Sequence, residues 1–423
     1  MRRDPNDPRL RSWVETPAGG DFPIQNLPFG VFQPAGGVPR AGVAIGEEVI
    51  DLAALAALGY LAVADTPDQS VFSRPSLNAL LALGRPYWRS LRGRISELLD
   101  SDNAELRDRP EHRERVLHRQ SRVRMRLPVE IGDYVDFYSS LEHATNVGKM
   151  FRDPANPLLP NWKHLPVGYH GRCSTIFLSG QDVRRPCGQR KTADSIEYGP
   201  SGRMDFELET GFLIGRASEP GRAVTTAEAA DYIFGMVLLN DWSARDIQQF
   251  EYVPLGPFLG KSFATSITPW VVTMEALEPF RVAGPLQDPP PLAYLRAEGA
   301  GNLDLNLEVW LGPAGEDARR ICRTSFRHMY WSMAQQLAHL TSNGASVRVG
   351  DLCGSGTVSG PAADSWGSLL ELSWNGARPL EFPGARRAFL EDGDSVIFRG
   401  WGERDGVRVG FGELRARLLP ALA

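Results

Sequence analysis

Apolar and polar residues alternate in short runs along much of this chain, the period-two signature of half-buried strands. Near the start such runs fall at 29–32 and 41–50, the second broken by a turn at Gly46. Helix-like periodicity follows at 52–64 and 76–83. Residues 85–126 are dense in charge and mostly helical in pattern, with Pro110 as a break and Arg113-Glu114-Arg115 on a solvated face. The change of character near 118–126 marks a boundary between a unit over 1–120, which carries a helical linker, and a larger unit over 121–423. Beyond it, strand-like runs recur at 174–178, 205–214, 234–240, 270–273, 303–311, 369–374, 395–398 and 407–411. One helix is predicted among them over 325–340, apolar at Phe326, Met329, Tyr330, Met333, Leu337 and Leu340 and stopped by Asn343-Gly344. Many short strands with few helices predict a mainly β protein, a large sandwich or roll.

Composition narrows the function classes. Hydrophobic residues at 42% and charged residues at 23% are ordinary for a globular chain with a sizeable core. A net charge of −5 leaves no electrostatic footprint for nucleic acid. No apolar stretch is long enough to span a bilayer, so no membrane partner is expected. Met1-Arg2-Arg3-Asp4-Pro5 leads into no apolar segment, so no signal peptide is expected. The four cysteines, Cys173, Cys187, Cys322 and Cys353, form no CxxC pair and suit free thiols in a reducing, cytoplasmic setting. Gly256-Pro257-Phe258-Leu259-Gly260-Lys261-Ser262 is one residue short of a phosphate loop, and Pro257 removes a donor such a loop needs. The glycines of 354–360 miss the dinucleotide spacing. Neither HExxH nor GxSxG occurs.

The strongest local chemistry is Asp205-Phe206-Glu207-Leu208-Glu209. On a strand these three carboxylates share one face and repel unless a cation sits among them. A hard ion, Mg²⁺ or Ca²⁺, takes such oxygen ligands. Asp241, at the end of the apolar run 234–240, and Asp133 or Asp136 offer further ligands. His143 suits general-base work near pH 7. Asp351 and Glu371 are both candidates to orient it.

Longer motifs carry a resemblance. They are the stretch 131–140 with Glu142-His143-Ala144-Thr145-Asn146-Val147-Gly148, then Leu159-Pro160-Asn161-Trp162 and the run 165–172. Asn240-Asp241-Trp242-Ser243-Ala244-Arg245-Asp246, the run 252–262, His328-Met329-Tyr330-Trp331, Ser355-Gly356-Thr357 and Leu370-Glu371-Leu372-Ser373-Trp374 follow. From about residue 128 to the C-terminus the chain resembles the fumarylacetoacetase family. The resemblance implies a small N-terminal SH3-like β-barrel, a mixed β-sandwich roll as the catalytic unit over 121–423, and a homodimer. It implies hydrolysis of a carbon–carbon bond in 4-fumarylacetoacetate to fumarate and acetoacetate, the last step of tyrosine and phenylalanine catabolism. It places Asp136, Glu207, Glu209 and Asp241 on Mg²⁺ or Ca²⁺, with Lys261 and Thr265 nearby. It makes His143 the base that activates water and Glu371 its partner. Arg245, Gln248 and Lys261 would line the reacting centre, and Tyr138, Arg152, Tyr169, Tyr252 and Thr357, with Arg245 and Gln248, would hold the substrate. Two positions depart from the family pattern: Phe250, where tryptophan is usual, and Glu142, where glutamine is usual. If residues 142 and 143 lay on a strand, their side chains would face opposite ways.

Overall fold

The strand Ile233–Asp241 is buried at every position in the computed structural model, which describes residues 3–61 and 68–422. A strand this uniformly apolar needs cover on both faces. It lies inside an eight-stranded mixed sheet, between Leu208–Ile214 and Thr265–Ile267. On one face Met236 and Leu238 join Phe212, Leu307, Phe398 and Phe411 in a common core. That core is shared with a second sheet of five strands, in the order Arg319–Ser325, Asn306–Gly312, Ser395–Arg404, Val407–Leu419 and Val183–Arg184. The layers pack closely, since a Cβ on Gly400 would fall 2.7 Å from Leu238 Cδ2. On the opposite face Phe234, Val237 and Leu239 pack with Phe29, Val31, Trp88 and Leu91 of the N-terminal unit.

The N-terminal unit is an antiparallel half-barrel in the order Leu117–Arg119, Glu48–Asp51, Arg40–Ile45, Phe29–Pro34 and Val123–Arg126. Its last strand pairs with Phe29–Pro34, so this sheet continues past position 120. The chain is therefore mainly β, as the sequence pattern predicts, and its small half-barrel followed by a mixed β-sandwich roll is the arrangement the family resemblance implies. No helix of the described residues is long and apolar enough to cross a membrane.

Several local expectations are corrected. The helix expected over 325–340 is only Met333–Thr341; the strand Arg319–Ser325 and a 3₁₀ turn, Phe326–His328, occupy the segment before it. Ser332 and Gln335 form a capping box that sets the true start. The apolar residues upstream are buried through sheet and turn packing and only mimic a helical stripe. The run 369–374 is no strand: Leu369–Leu372 is a single helical turn capped by Ser368. Residues 142 and 143 belong to the helix Leu141–Phe151, capped by Ser140. Pro110 opens the helix Pro110–Val116 at its first position, where its missing N–H costs nothing, instead of breaking one. The charged segment after Arg85 is helical over Arg85–Leu99, Ala104–Arg107 and Pro110–Val116, then returns to strand. The helix expected over 52–64 is seen as Leu52–Ala57, and residues 62–64 lie outside the described residues.

Candidate active site

Three strands of the eight-stranded sheet, with a fourth lying between two of them, bring the acids together. Asp136 lies on Tyr134–Phe137, Glu209 on Leu208–Ile214 and Asp241 at the end of Ile233–Asp241. Leu352–Gly354 separates the first two, and its Gly354 leaves them room: a Cβ there would fall 2.6 Å from Asp136 Oδ1 and 3.1 Å from Glu209 Oε2. One oxygen from each of the three carboxylates lies within 4.8 Å of the others. Asp136 Oδ1, Glu209 Oε1 and Asp241 Oδ1 are buried without a hydrogen-bond partner. Burial, reinforced by the neighbouring carboxylates, pushes the Asp136 and Glu209 carboxyls well above the ordinary range. Burial also raises Asp241, although Lys261 opposes the rise. Buried acceptors of like charge that lack donors fit a divalent cation.

Glu207 has a different environment. Lys261 Nζ donates to its Oε2, and Arg245 Nη2 lies 2.7 Å from its Oε1. Burial alone would raise its carboxyl, but Lys261 and Arg245 hold it far below the usual range. It therefore stands beside the triad as the matched acid of the site. Lys261 also donates to Asp241 Oδ2 at 2.7 Å, which joins the two groups. Tyr169 donates to the same Asp241 oxygen at 3.0 Å. Thr265 is buried opposite Asp241 in the strand pairing.

The histidine expected as base is buried at 2% exposure on the helix Leu141–Phe151. Its Nδ1 lies 2.6 Å from Glu371 Oε2, and its Nε2 lies 3.9 Å from Glu207 Oε1. Glu371 also accepts from Asn146 at 2.9 Å, Ser368 at 2.8 Å and the Ser359 hydroxyl. Burial would raise its carboxyl, yet His143 and these donors hold it below the usual range. An ionised Glu371 can only accept, so Nδ1 of His143 carries a proton, and the neutral form of the ring presents its lone pair at Nε2. The sequence left Asp351 and Glu371 open as partners. Asp351 instead accepts from the backbone of Asp133 and Arg348, away from His143.

Other expected residues are placed unevenly. The Tyr138 ring meets His143 edge-on at 5.2 Å between centroids. Gln248 Oε1 accepts from Arg245 at 3.3 Å. Thr357 is buried, with its hydroxyl unpartnered. Arg152 is turned to the Pro157 carbonyl at 2.9 Å, and Tyr252 is 48% exposed. Asp205 departs from the shared-face expectation: the chain leaves strand geometry between Met204–Asp205 and Leu208–Ile214, and its carboxylate turns to Arg245. Asn146, Ser359 and Ser368 were missed. Ser368-Leu369-Leu370-Glu371 carries a readable N-cap pattern that points to Glu371.

A triad of unpartnered carboxylates beside a histidine–carboxylate pair, set on a β-roll, defines a hydrolase site able to hold a divalent metal. Residues 134–419 match the family model described as fumarylacetoacetate hydrolase C-terminal, and residues 25–128 match fumarylacetoacetase N-terminal. The fumarylacetoacetase of Caenorhabditis elegans is 53% identical, covering 97% of this chain and 100% of that protein. The fumarylacetoacetase of Rattus norvegicus is 50% identical over 97% and 99%. The solved fumarylacetoacetate hydrolase from Exiguobacterium antarcticum shares the fold, with a TM-score of 0.53 at 18% identity over 93% of this chain and 99% of that one. The chain belongs to the fumarylacetoacetase family.

Proposed function

We infer that the protein hydrolyses a carbon–carbon bond of 4-fumarylacetoacetate, yielding fumarate and acetoacetate in tyrosine and phenylalanine catabolism. Family membership supports the reaction, and the 2.6 Å contact between His143 and Glu371 beside the acid triad is the observation that carries it. Asp136, Glu209 and Asp241, with Glu207 alongside, would hold Mg²⁺ or Ca²⁺. When bound, such an ion polarises the diketone and makes negative charge on its oxygens tolerable.

The chain's own residues supply the remaining steps. Glu371 keeps the Nδ1 proton on His143. Nε2 then takes a proton from water as the water oxygen attacks the carbonyl at the fumaryl end. Arg245, Gln248 and Lys261 donate to the oxygen that gains charge. Arg245 Nη2 suits this work because it sits near two carboxylates without an aligned hydrogen bond. Breaking the carbon–carbon bond leaves its electron pair on the acetoacetate fragment, and the proton on His143 returns to that carbon. Tyr138, Arg152, Tyr169, Tyr252 and Thr357 would hold the substrate's carboxylates and carbonyls.

His143→Ala should lower turnover by about 10²-fold or more, followed as loss of substrate absorbance, while calorimetry still detects metal binding. Near-normal turnover in that variant would remove the base assignment. A homodimer in the cytoplasm belongs to the same reading. Val253, Leu255 and Phe258 are 68%, 96% and 63% exposed, an apolar surface of the kind a second copy covers. Four free cysteines suit a reducing compartment. Light scattering on the purified protein tests the dimer; a monomer at micromolar concentration would refute it.

A further inference from the structure

Asp205 is fully buried and belongs to neither the acid triad nor the histidine pair. Its Oδ2 accepts from Arg245 Nε at 2.8 Å and from the Leu370 amide at 3.1 Å, and Arg245 Nη2 also lies 2.8 Å away. Its Oδ1 accepts from the amides of Leu369 and Phe206, both at 2.8 Å. We propose that Asp205 is a positioning residue that fixes Arg245 and the one-turn helix bearing Glu371 relative to each other. The proposal rests on the hydrolase reading above.

Chain geometry places Asp205 between the two pieces. Met204–Asp205 pairs with Ser243–Ala244, directly before Arg245. Two residues later the chain runs against the other segment: Glu207 bridges Ser368, and the Leu208 amide donates to the Gly367 carbonyl at 2.8 Å. Leu369–Leu372 is too short to be stable by its own hydrogen bonds, and its first amides need outside acceptors. Asp205 accepts two of them, and Ser368 accepts the Glu371 amide at 3.3 Å. The same carboxylate thus orients an arginine aimed at the developing charge and seats the turn from which Glu371 reaches His143. Every donor around Asp205 is an N–H, so asparagine cannot substitute: its amide nitrogen would face donors.

Asp205→Asn is measured by steady-state kinetics beside the wild type, with thermal melting and metal titration on the same samples. The expected result is a kcat lowered about 100-fold, since small displacements in a preorganised site cost that much, with KM and metal affinity changed less than about threefold. In an Arg245→Ala background the added loss should shrink to less than about tenfold, because one of the two oriented groups is already gone. Asp205→Glu, which keeps the charge but moves it, should also lose kcat selectively. A folded variant of either kind with kcat within about threefold of the wild type overturns the role. So does failure of both variants to fold, which would make Asp205 a stability residue. A wild type that does not hydrolyse the substrate overturns the underlying reading instead; an active wild type with an unaffected variant overturns only the positioning role.

Discussion

Removing one charge from the acid triad should stabilise the metal-free protein. Oxygens of Asp136, Glu209 and Asp241 lie within 4.8 Å of one another. At an effective dielectric of about 20, two unit charges at that separation repel by about 3.5 kcal/mol, so Asp136 would feel about 7 kcal/mol from its two neighbours. The cost is capped, because the carboxyl can take a proton instead, and neutralising an ordinary aspartate at pH 7 costs about 4 kcal/mol. Lys261, 2.7 Å from Asp241, offsets part of what is left. Asp136→Asn removes the charge at almost constant shape, so chelator-treated variant should be more stable than chelator-treated wild type by about 1–4 kcal/mol. That corresponds to a rise of a few degrees in Tm. Saturating Mg²⁺ or Ca²⁺ should reverse the order: at about a thousandfold excess over Kd the wild type gains about 4.1 kcal/mol, and the variant gains little. Scanning calorimetry of both proteins, with chelator and with each ion, reads all four states. If the variant melts below the wild type in chelator and responds equally to metal, the triad is not a frustrated ion cage.

Two further outcomes follow from particular contacts. Gly354→Ala would set a Cβ 2.6 Å from Asp136 Oδ1, so metal affinity by calorimetry should fall about tenfold or more while the melting curve of the chelated protein keeps its cooperativity; unchanged affinity would refute the close packing. Asp51 caps the helix Leu52–Ala57 through the Ala54 amide and pairs with Arg40 at 2.7 Å, so Asp51→Ala should cost about 2–4 kcal/mol in urea unfolding near pH 7. Burial would raise the Asp51 carboxyl, but His118 at 3.6 Å and the bonds from Arg40 and Ala54 hold it below its ordinary value. Its contribution is then complete above the unfolded value near about 4 and is lost as pH falls through the lower folded value. The gap between wild type and variant should therefore narrow only under acid conditions; a gap that narrows between pH 6 and 8 would contradict this.

The strand-rich architecture was legible because its central strands leave a plain mark. Residues 234–239 are apolar without alternation, as a strand covered on both faces must be. The acids of the site were legible as residue types, since Glu207 and Glu209 are spaced by two and Asp241 ends the next strand. What failed was local conformation. The shared face drawn through Asp205 required an unbroken strand, and the break at 206–207 is set by tertiary partners, Arg245 on one side and the 367–370 segment on the other. The helices carrying His143 and Glu371 are one to three turns long, too short for periodicity to outweigh a strand-like run. Their signal is instead the capping serine: Ser140 before His143, Ser368 before Glu371 and Ser332 before Gln335, each bonding three residues ahead. Apolar neighbours such as Leu369 and Leu370 mask that cue in a hydrophobicity pattern.

The way cations are shared among the carboxylates divides the site. Asp136, Glu207, Glu209, Asp205, Asp241 and Glu371 are all buried, and among the described residues Arg245 and Lys261 are the Arg and Lys side chains paired with them. Arg245 is committed to Asp205 and Glu207, and Lys261 to Glu207 and Asp241. Glu371 meets no cation but collects hydroxyl and amide donors around His143. Each acid outside the triad therefore has its charge answered within the chain. Inside the triad, among the described residues, Asp136 and Glu209 pair with no Arg or Lys, and Asp241 shares Lys261 with Glu207. Burying that surplus without a counter-charge costs stability and brings no packing gain. The surplus has a function only if a positive charge arrives from outside the chain. Where it can arrive is fixed by the three unpartnered oxygens, beside Glu207, whose Oε1 lies 3.9 Å from His143 Nε2.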